Sequence, residues 1–378
     1  MIELRSITKR YGLSALALRD LSFEIRDQEF LVIYGPSGAG KTSTLRIIGG
    51  ITKPTSGDIL RDGRSILDVA PENRDMAMAF ENYALYSHMT VYDNLAFPLR
   101  ARKLSAKDID DRVHAVARML QISDLLSRRP GFLSGGQRQR VSLGRAIVRP
   151  ADAYLLDEPI GHLDAKLRHR MRGELKAMSA DLNATIVLTT TASREALALG
   201  DRIAILRNGM LEQIGTPEEV YHRPANEFVA SFVGEPPMSF LDVEPVRDDG
   251  LQYFRIQATD HRLLATAELA EHLNGEKEGY RLGARASEMT LATQPDESHR
   301  VPGEVYIVEH MGYSNIISVK VGEGLIRVMA HSSFRPSIRD TVWLSLDSHH
   351  VHLFFKQKSV YHPIHSQQDA IGLGTEER

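Results

Sequence analysis

The chain has 378 residues, of which 42% are hydrophobic, and a formal net charge of −3 at pH 7. This length favours two or three domains with packed cores, and the weak negative charge argues against a general nucleic-acid-binding protein, which needs a basic field against phosphates. Cysteine is absent, which excludes disulfides and thiolate metal sites. No stretch approaches the roughly 18 to 20 consecutive apolar residues that cross a bilayer, so we expect a soluble protein.

A glycine-rich loop follows the short apolar run 30–34 and precedes residues with helical spacing. The loop fits G-x-x-x-x-G-K-T, and its residues together with the next one are Gly35, Pro36, Ser37, Gly38, Ala39, Gly40, Lys41, Thr42 and Ser43. In such a loop, backbone N–H groups and the lysine surround a polyphosphate, and the threonine hydroxyl reaches a magnesium ion. A tight turn alone would not require Lys41 and Thr42 directly after the last glycine. The segment therefore predicts a strand, a phosphate-binding loop and a helix.

The middle of the chain is predicted to be helical. Ser105 followed by Asp108 resembles a capping box, and apolar residues then recur at helical spacing. A further helix over 141–148 directly follows the string LSGGQ, which comprises Leu133, Ser134, Gly135, Gly136 and Gln137. This order places the two glycines at a helix N-terminus, where they can face an anion.

Two apolar runs then predict buried strands. The run from Ala153 ends in Asp157 and Glu158, while 185–190 is rich in β-branched residues. Asp157 can hold Mg²⁺ through water, and Glu158 can orient and deprotonate an attacking water. Because apolar strands alternate with helices, we expect an α/β domain with a mainly parallel sheet.

The character of the sequence changes near residue 236. From about 240 to 356 it consists of short alternating segments separated by Gly, Asp and Asn, which predicts a small β-barrel. The polar residues from Lys358 onward are expected to be disordered. The predicted boundaries are therefore 1–235, 236–357 and 358–378, with a helical subdomain at about 88–150.

The glycine-rich loop, LSGGQ and the Asp-Glu pair, in this order, resemble the ATP-binding subunits of ABC transporters. Further segments resemble the maltose-type carbohydrate importers, and they are 74–80, 83–86, 88–91, 164–168 and 234–241. The resemblance implies an α/β P-loop NTPase, that is, an ABC-type ATPase domain with a helical subdomain, followed by an all-β OB-like regulatory domain. It also implies ATP and Mg²⁺ as cofactors, transport ATPase activity, and a peripheral position at the cytoplasmic face of the inner membrane.

The same resemblance implies how such subunits assemble. Two ATPase domains enclose two nucleotides head to tail, so each site combines the phosphate loop of one subunit with the LSGGQ of the other. Tyr11 would stack on adenine. The residues that would face the partner's nucleotide are Ser134, Gly135, Gly136, Gln137 and Asp164. Two membrane-spanning permease subunits would dock near 81–94, an extracytoplasmic solute-binding protein would act indirectly, and no nucleic acid is implied.

Three positions depart from the family pattern. Glu81 stands where the family has a glutamine; a carboxylate can still bind Mg²⁺ but adds negative charge beside a triphosphate. Thr191 stands at the position of the switch histidine, which is expected to reach the γ-phosphate and hold the attacking water. Losing one such donor commonly costs about 10²–10³ in rate. His162 replaces a small polar residue and is expected to act as a spacer.

The departures at Glu81 and Thr191 affect the chain's own site, whereas its LSGGQ is intact. We therefore favour a heterodimer with one competent and one weakened site over a homodimer with two weakened sites. A regulatory pseudo-ATPase that only binds ATP is an alternative, although it would have no need of Glu158. Soluble ABC ATPases of translation or DNA repair carry a second ATPase domain or a long coiled-coil insertion, and neither occurs in this sequence. The solute is expected to be a carbohydrate or polyol; polyamine, sulfate and iron importers share the domain plan.

Overall fold

The computed structural model describes residues 1–12, 15–161, 163–182, 184–296 and 300–363. It divides into two compact units, of which the first is Met1–Pro217 and the second begins at Glu218. His162 and the part of the predicted tail beyond 363 lie outside the described residues.

The first unit alternates strands and helices. Its elements are β1 (Ile2–Tyr11), β2 (Ala15–Ile25), β3 (Phe30–Tyr34), α1 (Lys41–Ile48), β4 (Ser56–Arg61), β5 (Arg64–Ser65), β6 (Met76–Ala79), α2 (Val91–Ala101), α3 (Ala106–Met119), α4 (Gly135–Ile147), β7 (Ala153–Asp157), α5 (Ala165–Leu182), β8 (Thr185–Thr190), α6 (Ser193–Leu199), β9 (Arg202–Arg207) and β10 (Met210–Gly215). The predicted strands at 30–34, 153–157 and 185–190 are confirmed.

A six-stranded sheet in the order β10-β9-β3-β8-β7-β6 forms the centre of this unit. All its neighbouring pairs are parallel except β10 with β9, which form a hairpin. Every residue of β3, β7 and β8 is buried, which is typical of parallel strands covered on both faces. Because β3, β8 and β7 are adjacent and parallel, the chain segments that follow them emerge at one edge of the sheet.

A second, four-stranded antiparallel sheet has the order β2-β1-β4-β5. Apolar side chains from both sheets form one core cluster that also includes residues of α1. Tyr11 is the last residue of β1. The shared core places the end of β1 in the same unit as the glycine-rich loop.

Helices α2, α3 and α4 form the predicted helical subdomain. Ser105 caps α3 by accepting a hydrogen bond from the Asp108 N–H, as the sequence indicated. Gly144 lies on the face of α4 that packs against Leu95 of α2 and Leu120, the residue after α3. A Cβ added at Gly144 would come within 2.9 Å of a methyl group of each leucine. A larger residue at this position would therefore require both leucine side chains to move.

The second unit is β-rich. Its elements are α7 (Pro217–His222), which starts at the last residue of the first unit, α8 (Glu227–Phe232), β11 (Ser239–Asp248), β12 (Leu251–Ile256), β13 (Arg262–Leu264), α9 (Ala267–Glu271), β14 (Tyr280–Ala284), β15 (Thr290–Ala292), β16 (Val301–His310), β17 (Ser314–Val321), β18 (Gly324–His331), β19 (Thr341–Ser345), β20 (His352–Phe355) and β21 (Lys358–Tyr361). The strands form a six-stranded sheet, β13-β12-β11-β14-β20-β21, and a five-stranded sheet, β15-β19-β16-β17-β18. Apolar residues of both sheets share one core, as the alternating pattern predicted.

The predicted start of a disordered tail at Lys358 is wrong. Residues 358–361 form β21, which pairs antiparallel with β20. The Ser359 N–H also donates to the Ala225 carbonyl at 3.2 Å. Backbone hydrogen bonds place this segment in the fold, and Val360 and Tyr361 add apolar contacts with the core of the unit. The polar composition of the last twenty residues is therefore a poor guide to where the fold ends.

The division between the units also differs from the predicted boundary at 235/236, because α7 and α8 belong with the β-rich unit. Arg285 is buried, with 1% exposure, and its guanidinium donates to three backbone carbonyls at the ends of these helices. The acceptors are Tyr221 at 2.6 Å, Ala230 at 3.1 Å and Val233 at 2.5 Å. The hydrogen bonds from the two Nη atoms of this buried guanidinium fix both helices to β14 and the segment after it.

A fragment ending at Pro217 should therefore fold and bind ATP. A fragment ending at Gly234 should also fold and bind ATP, but its α8 would lack the hydrogen bonds from Arg285. We expect the amides of α8 to be protected from hydrogen exchange in the full chain and to exchange rapidly in the longer fragment. Exchange measured by mass spectrometry tests this. Equal protection of α8 in the fragment and the full chain would assign the helix to the first unit.

Candidate functional site

The glycine-rich loop connects β3 to α1 and is shaped by two glycines with positive φ. Gly38 has φ 79° and Gly40 has φ 101°. A Cβ on Gly40 would lie 2.5 Å from Leu18 Cδ2 and 2.7 Å from the Ala17 carbonyl oxygen, so only glycine fits there. The loop then leads into the N-terminus of α1, where free N–H groups favour an anion.

Lys41 is the first residue of α1 and is largely buried, with 7% exposure. Its Nζ donates to the carbonyls of Gly35 at 2.9 Å and Pro36 at 3.1 Å. The same atom lies 3.7 Å from Glu158 Oε1. Burial lowers the pKa of Lys41, and the negative charge of Glu158 acts in the opposite direction. Lys41 thus connects the glycine-rich loop with the carboxylate of Glu158, directly after β7.

Asp157, the last residue of β7, is held by two hydroxyl groups. The side chain is 2% exposed. Thr42 Oγ1 donates to Asp157 Oδ1 at 3.0 Å, and Thr189 Oγ1 donates to the same oxygen at 2.8 Å. Burial raises the pKa of Asp157, while both hydrogen bonds favour the ionised form and lower it. Neither hydroxyl uses the second carboxylate oxygen.

Glu158 has a left-handed backbone conformation, with φ 47°. Its N–H donates to Thr189 Oγ1 at 3.1 Å, and its carbonyl accepts from Gln139 Nε2 at 2.7 Å. Burial raises the pKa of Glu158, and Lys41 opposes this effect. Further carboxylates raise it as well, and they are Glu195, Asp157 and Glu81. The result is a carboxylate with an increased tendency to hold a proton.

Of the three positions that depart from the family pattern, Glu81 and Thr191 lie within the described residues, in different local settings. Glu81 is exposed, yet its charge affects the pKa of both Asp157 and Glu158, which places it within electrostatic reach of the site. Thr191 is also exposed and lies in the bend between β8 and α6. The residue before it, Thr190, is buried and donates to Glu195 Oε2 at 2.5 Å.

Tyr11 lies beside the glycine-rich loop. Its hydroxyl is 3.4 Å from Ser43 Oγ, and the Lys9 ammonium lies 4.9 Å from the ring centroid. The side chain is 40% exposed, so a ring face remains accessible to a planar ligand.

α4 begins at Gly135, so the two glycines of LSGGQ lie at a helix N-terminus as predicted, but the helix starts earlier than the predicted residue 141. Ser134 accepts from the Gln137 N–H at 3.3 Å, and Gln137 Oε1 accepts from the Ser134 N–H at 2.9 Å, which forms a complete capping box. Ser134 is exposed, and Gly135, Gly136 and Gln137 are partly exposed. Asp164 is exposed and accepts from the Leu167 N–H at 2.9 Å at the start of α5.

Sequence reasoning missed several residues that support the site. They are Gln139, Arg145, Thr189 and Glu195. Arg145 donates to the carbonyls of Ala84 at 2.7 Å and Tyr83 at 3.3 Å, and thereby joins α4 to the loop that carries Glu81. The β-branched pattern of 185–190 predicts only a strand at Thr189 and gives no signal for its hydrogen bond to Asp157 on the neighbouring strand.

The oxygen donors present suit a magnesium ion. Mg²⁺ is usually held by one or two carboxylates, substrate phosphates and several waters, and Thr42 with Asp157 offers such a partial set. Over the described ranges, no three His, Asp or Glu side chains converge to hold a metal by themselves. The residues therefore fit a metal that is bound together with a nucleotide.

Comparisons with known proteins agree with this geometry. A model of the ABC transporter family matches residues 18–161, and a model of the TOBE domain matches residues 282–354. A trehalose/maltose import ATP-binding protein, MalK, of Thermococcus litoralis is 43% identical over 378 aligned residues, covering 94% of this chain and 97% of that protein. An sn-glycerol-3-phosphate import ATP-binding protein, UgpC, of Salmonella typhi is 39% identical over 358 residues, covering 93% and 97%.

Among solved structures, the ATP-binding cassette MJ0796, described as a dimer in a post-hydrolysis state bound to ADP and Pi, is 29% identical with a TM-score of 0.54. The match covers 57% of this chain and 99% of that chain. The present chain therefore belongs to the ATP-binding subunits of ABC transporters, in the maltose-type carbohydrate importer family. The predicted fold is confirmed: an ABC ATPase domain of the P-loop class precedes a β-rich, OB-like TOBE domain. Within the described part of the chain, no helix has the length and apolar character to cross a bilayer.

The raised pKa of Glu158 predicts a stability effect. A folded-state pKa above the unfolded value means that the folded protein binds more protons in the pH window above the ordinary glutamate pKa of 4.5, so stability falls as pH rises through this window. Glu158→Gln should therefore be more stable than the wild type at pH 7, with an advantage that shrinks toward pH 4. Each kcal/mol gained corresponds to about 2–4 °C in Tm for a domain of this size.

Thermal unfolding without nucleotide at several pH values measures this difference. Glu278→Gln, which changes an exposed glutamate in the second unit, is the matched control and should show no such pH-dependent gain. A Glu158→Gln variant that is less stable than the wild type at pH 7 would mean that the contact with Lys41 outweighs burial and repulsion.

Proposed function

We propose that this chain is the ATP-hydrolysing subunit of an ABC importer and that it energises uptake of a carbohydrate or polyol. The observation that carries the proposal is the meeting of three groups: Lys41 in the loop, Asp157 bonded to Thr42 at 3.0 Å, and Glu158 at 3.7 Å from Lys41. This set combines a phosphate-binding cation, oxygen donors for a metal and a carboxylate base. The relatives named for trehalose/maltose and sn-glycerol-3-phosphate import support the solute class.

Each residue has a distinct task in hydrolysis. The loop residues 35–43 and the N-terminus of α1 would bind the phosphates, and Tyr11 would stack on adenine. A bound Mg²⁺ ion would neutralise phosphate charge, and Thr42 and Asp157, with Glu81 as a further carboxylate, would hold it. Glu158 would orient a water and accept its proton. Burial shifts the pKa of Glu158 upward, toward the operating pH at which a general base is most effective.

The chain's own site is proposed to be weakened. The negative charge of Glu81 raises the pKa of both Asp157 and Glu158. Glu195 also raises the pKa of Glu158, and Lys41 is the cation that lowers it. Additional negative charge beside a triphosphate opposes its binding and the charge that develops during hydrolysis. Thr191 is an exposed hydroxyl at the position where a longer, cationic side chain would be expected to reach the γ-phosphate.

The assembly is proposed to be a heterodimer with a second, intact ABC ATPase subunit. Ser134 is exposed at the start of α4, and its capping box keeps the LSGGQ backbone in place, so the chain can donate this segment to a partner's nucleotide. Asp164 would contribute to the same face. The dimer would lie peripherally at the cytoplasmic face of the inner membrane, bound to two permease subunits, with an extracytoplasmic solute-binding protein acting indirectly.

Two alternatives remain as outcomes of experiment. A regulatory pseudo-ATPase would bind ATP without turnover, and the TOBE domain would then be the regulatory part. Retention of Glu158 with a raised pKa argues for hydrolysis instead. An importer of polyamine, sulfate or iron would use the same ATPase, and transport assays with the permease subunits distinguish these solutes.

Lys41→Ala should abolish Mg-ATP binding in isothermal titration calorimetry, because the variant removes the buried cation of the phosphate loop. Lys53→Ala is the matched control, since the Lys53 side chain is 71% exposed and pairs with Asp68. We expect this control to bind ATP as the wild type does. Unchanged affinity in Lys41→Ala would contradict the assignment of the phosphate site.

Ser134→Arg and Glu158→Gln should differ in their effect on transport by the assembled membrane complex. Ser134→Arg should stop transport, because it blocks the partner's site, whereas Glu158→Gln should reduce transport only modestly, because the site it serves is already slow. Thr191→His combined with Glu81→Gln should raise basal hydrolysis, by at most about 10²–10³.

The control for the arginine substitution is Ser127→Arg, at an exposed position outside LSGGQ, and it should retain transport. ATP hydrolysis and solute uptake in proteoliposomes measure these effects. Equal and complete loss of transport from Ser134→Arg and Glu158→Gln would refute the asymmetric model and favour two equally used sites.

A further inference from the structure

Thr189 lies one residue before the end of β8 and is fully buried, with 0% exposure. Its hydroxyl contacts Asp157, the last residue of the neighbouring strand β7, and Glu158, the residue after it. It donates to Asp157 Oδ1 at 2.8 Å and accepts from the Glu158 N–H at 3.1 Å. An N–H can only donate, so the single hydroxyl proton of Thr189 goes to the carboxylate.

We propose that Thr189 is a positioning residue, whose hydroxyl fixes the carboxylate of Asp157 for metal binding and the backbone of Glu158 for water activation. The inference rests on the proposed ATPase function of the same site. It assigns a function to a residue that the strand pattern alone presented as apolar packing.

The effect on Asp157 follows from where the hydrogen bonds fall. Thr42 and Thr189 both donate to Oδ1, so rotation of the carboxylate would break two hydrogen bonds at once. Both also favour the ionised form, which a carboxylate needs in order to bind a metal. The two hydrogen bonds therefore leave Oδ2 as the carboxylate oxygen that neither hydroxyl contacts.

The effect on Glu158 concerns its backbone. A non-glycine residue at φ 47° has an unfavourable backbone conformation, so it requires fixed contacts. Thr189 binds the N–H of Glu158 and Gln139 binds its carbonyl. These hydrogen bonds on either side of the Cα determine the direction in which the side chain leaves the strand, toward Lys41.

Strand formation does not require the hydroxyl. Valine has nearly the same shape as threonine, is β-branched and favours a buried strand. Thr185, at the opposite end of β8, offers a matched control: it is buried at 7% exposure, and its Oγ1 accepts from the Gln28 N–H at 3.1 Å. Both threonines support stability, but only Thr189 contacts Asp157 and Glu158.

The test compares the full chain with Thr189→Val, Thr189→Ser and Thr185→Val. The probe is Mn²⁺ added to ATP-loaded protein, with free Mn²⁺ measured by electron paramagnetic resonance. Loss of a residue that orients a metal ligand commonly weakens metal binding by about 10–100-fold, and we expect Thr189→Val to fall at the lower end of this range. Thr189→Ser, which keeps the hydroxyl, and Thr185→Val should bind Mn²⁺ as the wild type does.

ATP affinity in EDTA and thermal unfolding are measured on the same proteins. Unchanged ATP affinity together with weakened Mn²⁺ binding in Thr189→Val supports the proposal. Reduced stability with unchanged Mn²⁺ binding would overturn it and leave Thr189 a structural residue. If the valine variant does not fold, Thr189→Cys, which offers only a weak donor, is compared with Thr189→Ser by the same criterion. A wild-type chain that bound no ATP in EDTA or with Mn²⁺ would instead overturn the proposed function.

Discussion

The parallel alignment of β3, β8 and β7 is the constraint on which the site depends. These strands are adjacent in the sheet and buried at every residue, so their carboxyl ends are fixed relative to each other by backbone hydrogen bonds. The phosphate loop, the carboxylate pair and the bend at Thr191 each follow one of these ends. A shift of β8 by one residue would turn Thr189 away from Asp157.

The second determining feature is the balance of charges at the edge of the sheet formed by the carboxyl ends of these strands. Burial opposes ionisation of Asp157, Glu158 and Lys41 alike, and the hydroxyls of Thr42 and Thr189 partly restore it for Asp157. Such a site favours a divalent cation and a bound polyphosphate that arrive together, because each offsets the charge of the other. This balance also explains why the additional carboxylate of Glu81, although exposed, is expected to affect nucleotide binding and hydrolysis.

The β-rich unit shows where polar hydrogen bonds, rather than apolar patterning, determine structure. Arg285 joins α7 and α8 to the unit through three carbonyls, and β21 is held by backbone pairing. Neither feature leaves a periodic signal, since a single arginine looks like a surface residue and a strand of 4 residues is too short to show alternation. For this reason the predicted limits of this domain differed from those of the structure at both ends.

The sequence by itself determined the family, the two-part fold, the strands and helices around the phosphate loop, and the residue types of the site. These follow from short motifs and local periodicity, as Lys41, Ser134 and Glu158 illustrate. Only the tertiary structure decided which residues far apart along the chain meet: Thr189 with Asp157, Gln139 with the carbonyl of Glu158. Such contacts depend on strand order and register, which arise from packing of the whole sheet and cannot be derived from the spacing of residues in one segment.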